Sequence, residues 1–287
     1  MKRAALVQQI KEKQSFLCVG LDTDPQKLPP HLQGQKNGVV TFNKAIIEAT
    51  LPYCVSYKIN TAFYESQGLA GWEAMAETLA AIPSTHLTIA DAKRGDIGNT
   101  SAQYAKTFFE VLPFDAITVA PYMGEDSVRP FLEYTNKWTI VLALTSNAGS
   151  FDFQQLSVNP THEDLNLVPQ LTLGHGPKRL FEKVLEKTAA WGSPDQLMFV
   201  VGATQANALE NIRSIVPDHF LLVPGVGFQG GSLAEVAEHG LNKEAGLLVN
   251  ASRAIIFAGG GEDFAEAAQQ AAATYQAEMA SLLQTFG

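Results

Sequence analysis

The segment DAKRGDIGNTS, residues 91–101, places two aspartates, a lysine and an arginine within six positions, directly after the apolar-leaning run HLTIA. A lysine held beside a carboxylate stays protonated, because the neighbouring negative charge favours the charged form. Such an ammonium can stabilise negative charge that develops on a bound molecule and then deliver a proton to it. Asp91 and Lys93 are two apart, so in a strand their side chains share a face. On spacing alone they are either a ligand-directed pair or an ion pair satisfied within the protein.

Side chains of this kind need a scaffold that brings distant segments to one place. Eight short apolar segments recur, at 15–22, 55–60, 86–93, 116–121, 139–146, 197–204, 219–227 and 246–256. Most are near-continuous hydrophobic runs, the pattern of parallel strands covered on both faces. Amphipathic stretches lie between them, among them FNKAIIEATLPY, GWEAMAETLAAI, SAQYAKTFFEVL and KRLFEKVLEKTAAW. Strand then helix, eight times in 287 residues, predicts an α/β fold, a (β/α)8 TIM barrel forming one domain over residues 1–287. A doubly wound open sheet would place a GxGxxG fingerprint after its first strand, where this chain has GLDTDP. The longest irregular stretch, about 147–178, is Pro/Asn/Gly-rich and reads either as a site loop or as an insertion without function.

Barrels take their catalytic groups from the C-terminal ends of the strands. Asp22 ends the first segment, Lys58 lies in the second, and Asp91 and Lys93 end the third, with Asp96 and Thr100 beyond. Thr145, Ser146 and Asn147 end the fifth; GVGFQGG follows the seventh, and the eighth runs into NASR, ending at Arg253. Taken singly, each has an ordinary alternative. Asp22 can cap the following turn, and Lys58 can snorkel to solvent. Asp96 can favour the positive end of a helix, and Thr100 or Ser101 can N-cap SAQYAKTFFEVL. Taken together, two lysines and three aspartates at one mouth would be costly to bury unless they served a ligand. The glycines of GVGFQGG allow backbone N–H groups close to a ligand, and Arg253 is a bidentate donor suited to phosphate. Loops after the seventh and eighth strands are a frequent phosphate site in barrels.

Composition narrows the classes further. Twenty-nine acidic against 20 basic residues, a net charge of −9, argue against general nucleic-acid or anionic-membrane binding, though not against a small anionic ligand in a basic pocket. No apolar run approaches the roughly 20 residues needed to span a bilayer. The opening MKRAALVQQIKEKQ reads as a short amphipathic helix rather than a secretory signal. Cys18 and Cys54 read as small core residues in a reducing cytosol. The six histidines show no zinc-binding spacing.

The motifs FLCVGLD, YKIN, DAKRGDIGNT, LTSNAGS, PGVGFQGG and NASRAII, in that order from about residue 15 to 257, resemble the orotidine 5′-phosphate decarboxylase family. DxKxxDI followed by Thr is the specific element, and the long connection after the fifth strand resembles the family's longer bacterial form. Related phosphosugar barrels share a DxKxxD core, so a hexulose-phosphate synthase or pentulose-phosphate epimerase using a divalent metal is the alternative. The resemblance implies decarboxylation of orotidine 5′-monophosphate to UMP, the last step of de novo UMP synthesis, in the cytoplasm and without metal or organic cofactor. It implies that Lys93 donates the proton to C6, that Asp91 lies beside the scissile carboxylate and holds Lys93, and that Lys58 and Asp22 meet the ribose hydroxyls. Asp96, Ile97 and Thr100 are then expected to enter the active site of the other subunit of a homodimer. Ser146 matches the position that reads the pyrimidine edge, and Gln229, Gly230 and Arg253 match the phosphate grip. Phe228 stands where a small residue is usual and Ala148 where proline is common, two departures in loops expected to close.

Overall fold

A computed structural model describes residues 1–159, 178–203, 206–226 and 231–287. Five strands come first: β1 (Leu17–Gly20), β2 (Ser56–Asn60), β3 (Leu87–Arg94), β4 (Ala116–Val119) and β5 (Trp138–Leu144). Two short strands follow, β6 (Ser157–Val158) and β7 (Lys178–Arg179), and then β8 (Leu197–Val201), β9 (Phe220–Pro224) and β10 (Leu247–Ala251). The eight long strands, one from each apolar segment, pair in parallel and close as β1-β2-β3-β4-β5-β8-β9-β10 and back to β1. Each is followed by a helix, from Gly38–Thr50 after β1 to Phe264–Phe286 after β10. The architecture is a (β/α)8 TIM barrel.

Strand interiors are buried almost throughout because one face packs into the barrel and the other under helices. The N-terminal helix Arg3–Lys13 buries Leu6, Val7 and Ile10. Its Arg3 donates to the carbonyls of Pro194 and Asp218, each at 2.6 Å, and Trp138 Nε1 donates to Met1 O at 2.9 Å. Those partners precede or begin β8, β9 and β5, so the chain start closes the end of the barrel opposite the charged loops.

Several local expectations give way to the structure. Thr100 and Ser101 are not N-caps: the helix already begins at Gly98, with Ile97 at the cap position. Ser101 instead donates to Ser127 O at 2.7 Å and ties two helices together. The eighth segment does not run as a strand to Arg253; β10 ends at Ala251, and Arg253 opens a short helix, Arg253–Ile256. The connection after β5 is not wholly irregular. It forms a helical turn, Ser150–Phe153, and β6 pairs antiparallel with β7 outside the barrel, while 160–177 lie outside the described residues.

A buried polar cluster fixes the segment that carries Asp22. Asn43, fully buried, donates to Tyr64 Oη and Thr78 Oγ1, each at 2.9 Å, and accepts from Thr23 Oγ1 at 2.6 Å. Tyr64 Oη in turn donates to Leu21 O at 3.0 Å. Residues 21 and 23 are thereby gripped on either side of Asp22 by helices Gly38–Thr50 and Ala62–Glu65. Truncating Asn43 to alanine strands three buried partners at once, so we expect a loss of about 2–4 kcal/mol in urea denaturation. A loss well under 1 kcal/mol would show that the remaining groups re-pair among themselves.

Candidate active site

At the C-terminal end of the barrel a cavity of about 350 Å³ opens. Asp22, Lys58, Asp91, Lys93, Ser146 and Arg253 all line it. Six residues read from five different segments therefore meet in one place. Asp96, Ile97 and Thr100 do not line it; Asp96 and Ile97 sit farther along the loop after β3 and Thr100 in the first turn of the helix that follows, and Ile97 is 63% exposed. Gln229 and Gly230, with Phe228, lie outside the described residues. The two ends of that loop are held together by a bridge between Val226 and Gly231.

The floor of the cavity is an alternating row of charges. Lys58, with only 4% of its side chain exposed, places Nζ 3.2 Å from Asp22 Oδ1 and 3.0 Å from Asp91 Oδ2. Asp91 Oδ1 in turn accepts from Lys93 Nζ at 2.6 Å, and Lys93 is half exposed toward the cavity. Snorkelling is therefore not the role of Lys58. Nor does Asp22 cap the next turn; Asp24 does so, accepting from Gln26 N at 3.0 Å. Backbone bonding keeps the row in register: Leu21 N donates to Lys58 O at 2.8 Å, and Asn60 pairs with Asp91 across β2 and β3.

The electrostatics follow from this geometry. Burial alone would discharge Lys58, but Asp22 and Asp91 outweigh it and lift its pKa above the ordinary lysine value. Burial likewise opposes charge on Asp91, and Lys58 and Lys93 overcome that cost, holding its carboxyl far below the usual carboxylate range. Buried charge is tolerable here because each carboxylate oxygen of Asp91 meets a cation.

β3 departs from regular strand geometry just where the row ends. Its register to β4 shifts between Ala90 and Arg94, so Asp91, Ala92 and Lys93 together oppose a single residue, Thr118. Lys93 itself has φ of +49°, the left-handed region that non-glycine residues enter at a cost of about 1–3 kcal/mol. The simple two-residue alternation expected of DAK is thus broken, and the bulge re-aims Lys93. Arg94 turns away from the cavity. It pairs with Glu65 and lies 5.4 Å from the rings of Tyr104 and Phe108, a packing role.

Sequence reasoning passed over Thr118, Asn60, Asn250 and Ser252. The last three line the cavity, and Thr118 Oγ1 donates to Asp91 Oδ1 at 3.0 Å. The available signal was a lone threonine in the buried run AITVA, where apolar residues are expected on both faces. Across the cavity, Thr145 N donates to Gln154 Oε1 at 2.7 Å, which anchors the loop holding Ser146 and Asn147. Gly202 is required there, since a Cβ would stand 2.6 Å from Ser146 N. Among the described residues no group of three or more His, Cys, Asp or Glu side chains is disposed to hold a metal ion. No helix among them is long and apolar enough to cross a membrane.

A closed parallel barrel with a charged row of lysine and aspartate side chains at the C-terminal ends of its strands is the architecture of a (β/α)8-barrel enzyme. The sequence model of the orotidine 5′-phosphate decarboxylase / HUMPS family matches residues 15–271, and the chain belongs to that family. Curated orotidine 5′-phosphate decarboxylases from Phocaeicola vulgatus and Christiangramia forsetii are each 54% identical to it, with 99% of both chains covered in each case. The solved structure of Leishmania donovani OMP decarboxylase superposes with a TM-score of 0.80 at 34% identity, covering 98% of each chain.

The depressed Asp91 pKa has a measurable sign. Between that folded-state value and the unfolded value near ~3.9, only the unfolded chain binds the proton, so stability falls as pH falls. In urea titrations from about pH 5 to 3, the unaltered protein should lose stability more steeply than Asp91→Asn, by up to ~1.4 kcal/mol per pH unit. Equal slopes would mean that Asp91 is not held ionised by its lysines.

Proposed function

We propose that this chain, as one catalytic domain over residues 1–287, decarboxylates orotidine 5′-monophosphate to UMP and CO2, the last step of de novo UMP synthesis, in the cytoplasm. The observation that carries the reading is the row Asp22–Lys58–Asp91–Lys93 at the barrel mouth, in a chain 54% identical over nearly its whole length to proteins named for this activity. Loss of CO2 leaves negative charge developing at C6 of the pyrimidine. Lys93, exposed to the cavity and leaning on Asp91, is the ammonium that stabilises this charge and then protonates the carbon. Asp91 lies beside the departing carboxylate and orients Lys93. Lys58 and Asp22, farther along the row, meet the ribose hydroxyls.

Ser146 reads the pyrimidine edge from the loop after β5. Arg253 grips the phosphate, together with Gln229 and Gly230. Binding energy from the phosphate, remote from the reacting carbon, is then available to organise the charged end of the site. The rim position of Asp96, Ile97 and Thr100, outside their own cavity, supports a homodimer in which they complete the partner's site. An exposed isoleucine beside that rim suits burial against a second copy.

Incubation with orotidine monophosphate should give the ultraviolet change of conversion to UMP, at a rate that EDTA leaves unaltered. Absence of turnover at micromolar enzyme would refute the proposal, and an EDTA-sensitive reaction on a phosphosugar would favour the metal-dependent alternative. Lys93→Ala should lower kcat by roughly 10²- to 10⁴-fold or more.

The shared site predicts complementation. Lys93→Ala and Asp96→Asn, each nearly inactive alone, should recover about a quarter of the unaltered activity when mixed in equal amounts and allowed to exchange subunits, since half the dimers are hybrids with one intact site. Failure to recover, with exchange verified, would place Asp96 in the service of its own chain.

A further inference from the structure

We propose that Thr118 is a positioning residue for the decarboxylation, a single hydroxyl that fixes both the carboxylate of Asp91 and the backbone of Lys93. The proposal rests on the decarboxylase reading and on Lys93 as proton donor. Thr118 lies on β4, fully buried, opposite the bulge of β3. Its Oγ1 is 3.0 Å from Asp91 Oδ1 and 3.0 Å from Lys93 N.

The direction of both bonds is forced. An ionised carboxylate only accepts, so the hydroxyl proton of Thr118 goes to Asp91. That leaves an oxygen lone pair for the Lys93 N–H. Along β3, Leu87 and Asp91 bond toward β2 and Thr88 and Arg94 toward β4, so regular alternation would point this N–H at β2, but the pairs Ala90–Ile117 and Arg94–Val119 bracket three residues of β3 against one of β4. The bulge takes Lys93 off the ladder and turns its N–H toward β4, where the Thr118 side chain accepts it. The same oxygen therefore stabilises the left-handed backbone of Lys93 and supplies Asp91 Oδ1 with a donor besides the Lys93 ammonium.

Two lysines and one threonine thus surround Asp91, and of the three only Thr118 is uncharged. Lys93 is half exposed and has a long flexible stem, so its ammonium is placed no better than its backbone and its carboxylate partner. Thr118 sets both. Valine has the same shape without the hydroxyl; it leaves the Lys93 N–H unpaired beside an apolar methyl and removes one of the three donors that hold Asp91. Serine retains the hydroxyl without the methyl.

The test compares the unaltered protein, Thr118→Val and Thr118→Ser, measuring kcat and KM for orotidine monophosphate and the dissociation constant of UMP by calorimetry. Thr118→Val should lower kcat roughly 10- to 100-fold, the loss expected for one hydrogen bond to a charged group, with KM and UMP affinity within about threefold. Thr118→Ser should regain most of the lost kcat. An unchanged kcat in Thr118→Val overturns the role of Thr118 while leaving the decarboxylase reading intact. So does a parallel loss of kcat and UMP affinity, or a folded Thr118→Ser as slow as the valine variant. Should Thr118→Val not fold, Thr118→Ala takes its place against serine under the same criteria. No turnover by the unaltered protein overturns the decarboxylase reading itself, and the role of Thr118 with it.

Discussion

One buried ammonium governs the site. Lys58 lies almost wholly out of solvent, and its charge survives only because Asp22 and Asp91 stand within 3.2 Å on either side. Three strands must therefore end at matching heights, and the parallel register supplies this: Gly20 pairs with Lys58, and Asn60 with Asp91. Removing either carboxylate would leave an uncompensated charge in a low-dielectric setting, a far larger loss than for a surface pair. The fold and the charges specify one another. The barrel brings the groups together, and the groups tolerate burial only in that barrel.

From this constraint the rest of the mouth follows. Asp91 is committed through Oδ2 to Lys58, which leaves Oδ1 to direct Lys93. A strand of ordinary alternation would align Lys93 with Asp91 along the strand; the bulge in β3 and the left-handed backbone at Lys93 set its direction instead. The strained backbone at this point persists because the surroundings over-determine it. On the far side, the cluster around Asn43 holds Leu21 and Thr23, so Asp22 is positioned by neighbours it never touches. The site is thus rigid at its charged end. At the other end, where we propose that the phosphate binds, stand Arg253 and a loop whose ends meet at Val226 and Gly231.

The barrel was legible because its signals are redundant. Eight apolar runs alternating with amphipathic ones leave few topologies, and each run was long enough to outweigh errors at its ends. The convergence of Asp22, Lys58, Asp91 and Lys93 was legible for the same reason, since strand ends share a face of the molecule. What could not be read depends on pairwise geometry. Nothing in AITVA says that its threonine faces a bulge, because the bulge belongs to the pairing of β3 with β4 and to neither strand alone. The caps failed similarly: Asp24 rather than Asp22 caps the turn, and the helix after β3 starts before Thr100. Such choices are settled by one or two residues of register, within which sequence patterns are degenerate.

The segment 91–101 now divides by physical role. Asp91 and Lys93 are tied to β2 and β4 and face the cavity of their own barrel. Arg94 closes the strand from outside, lying over Tyr104 and Phe108, and Ala120 N resumes the ladder on its carbonyl at 2.9 Å. Beyond it, among the described residues, the Asp96 carboxylate accepts only from the adjacent Ile97 N at 2.8 Å, and Ile97 projects into solvent. Charge paired with opposite charge as far as Arg94 gives way, two residues on, to a carboxylate bonded to the adjacent backbone. A chain using all of these groups for one cavity would have no reason to turn the last of them outward. In the homodimer proposed above, a second copy across the rim would give that turn a purpose and would couple the integrity of each active site to the assembly that completes it.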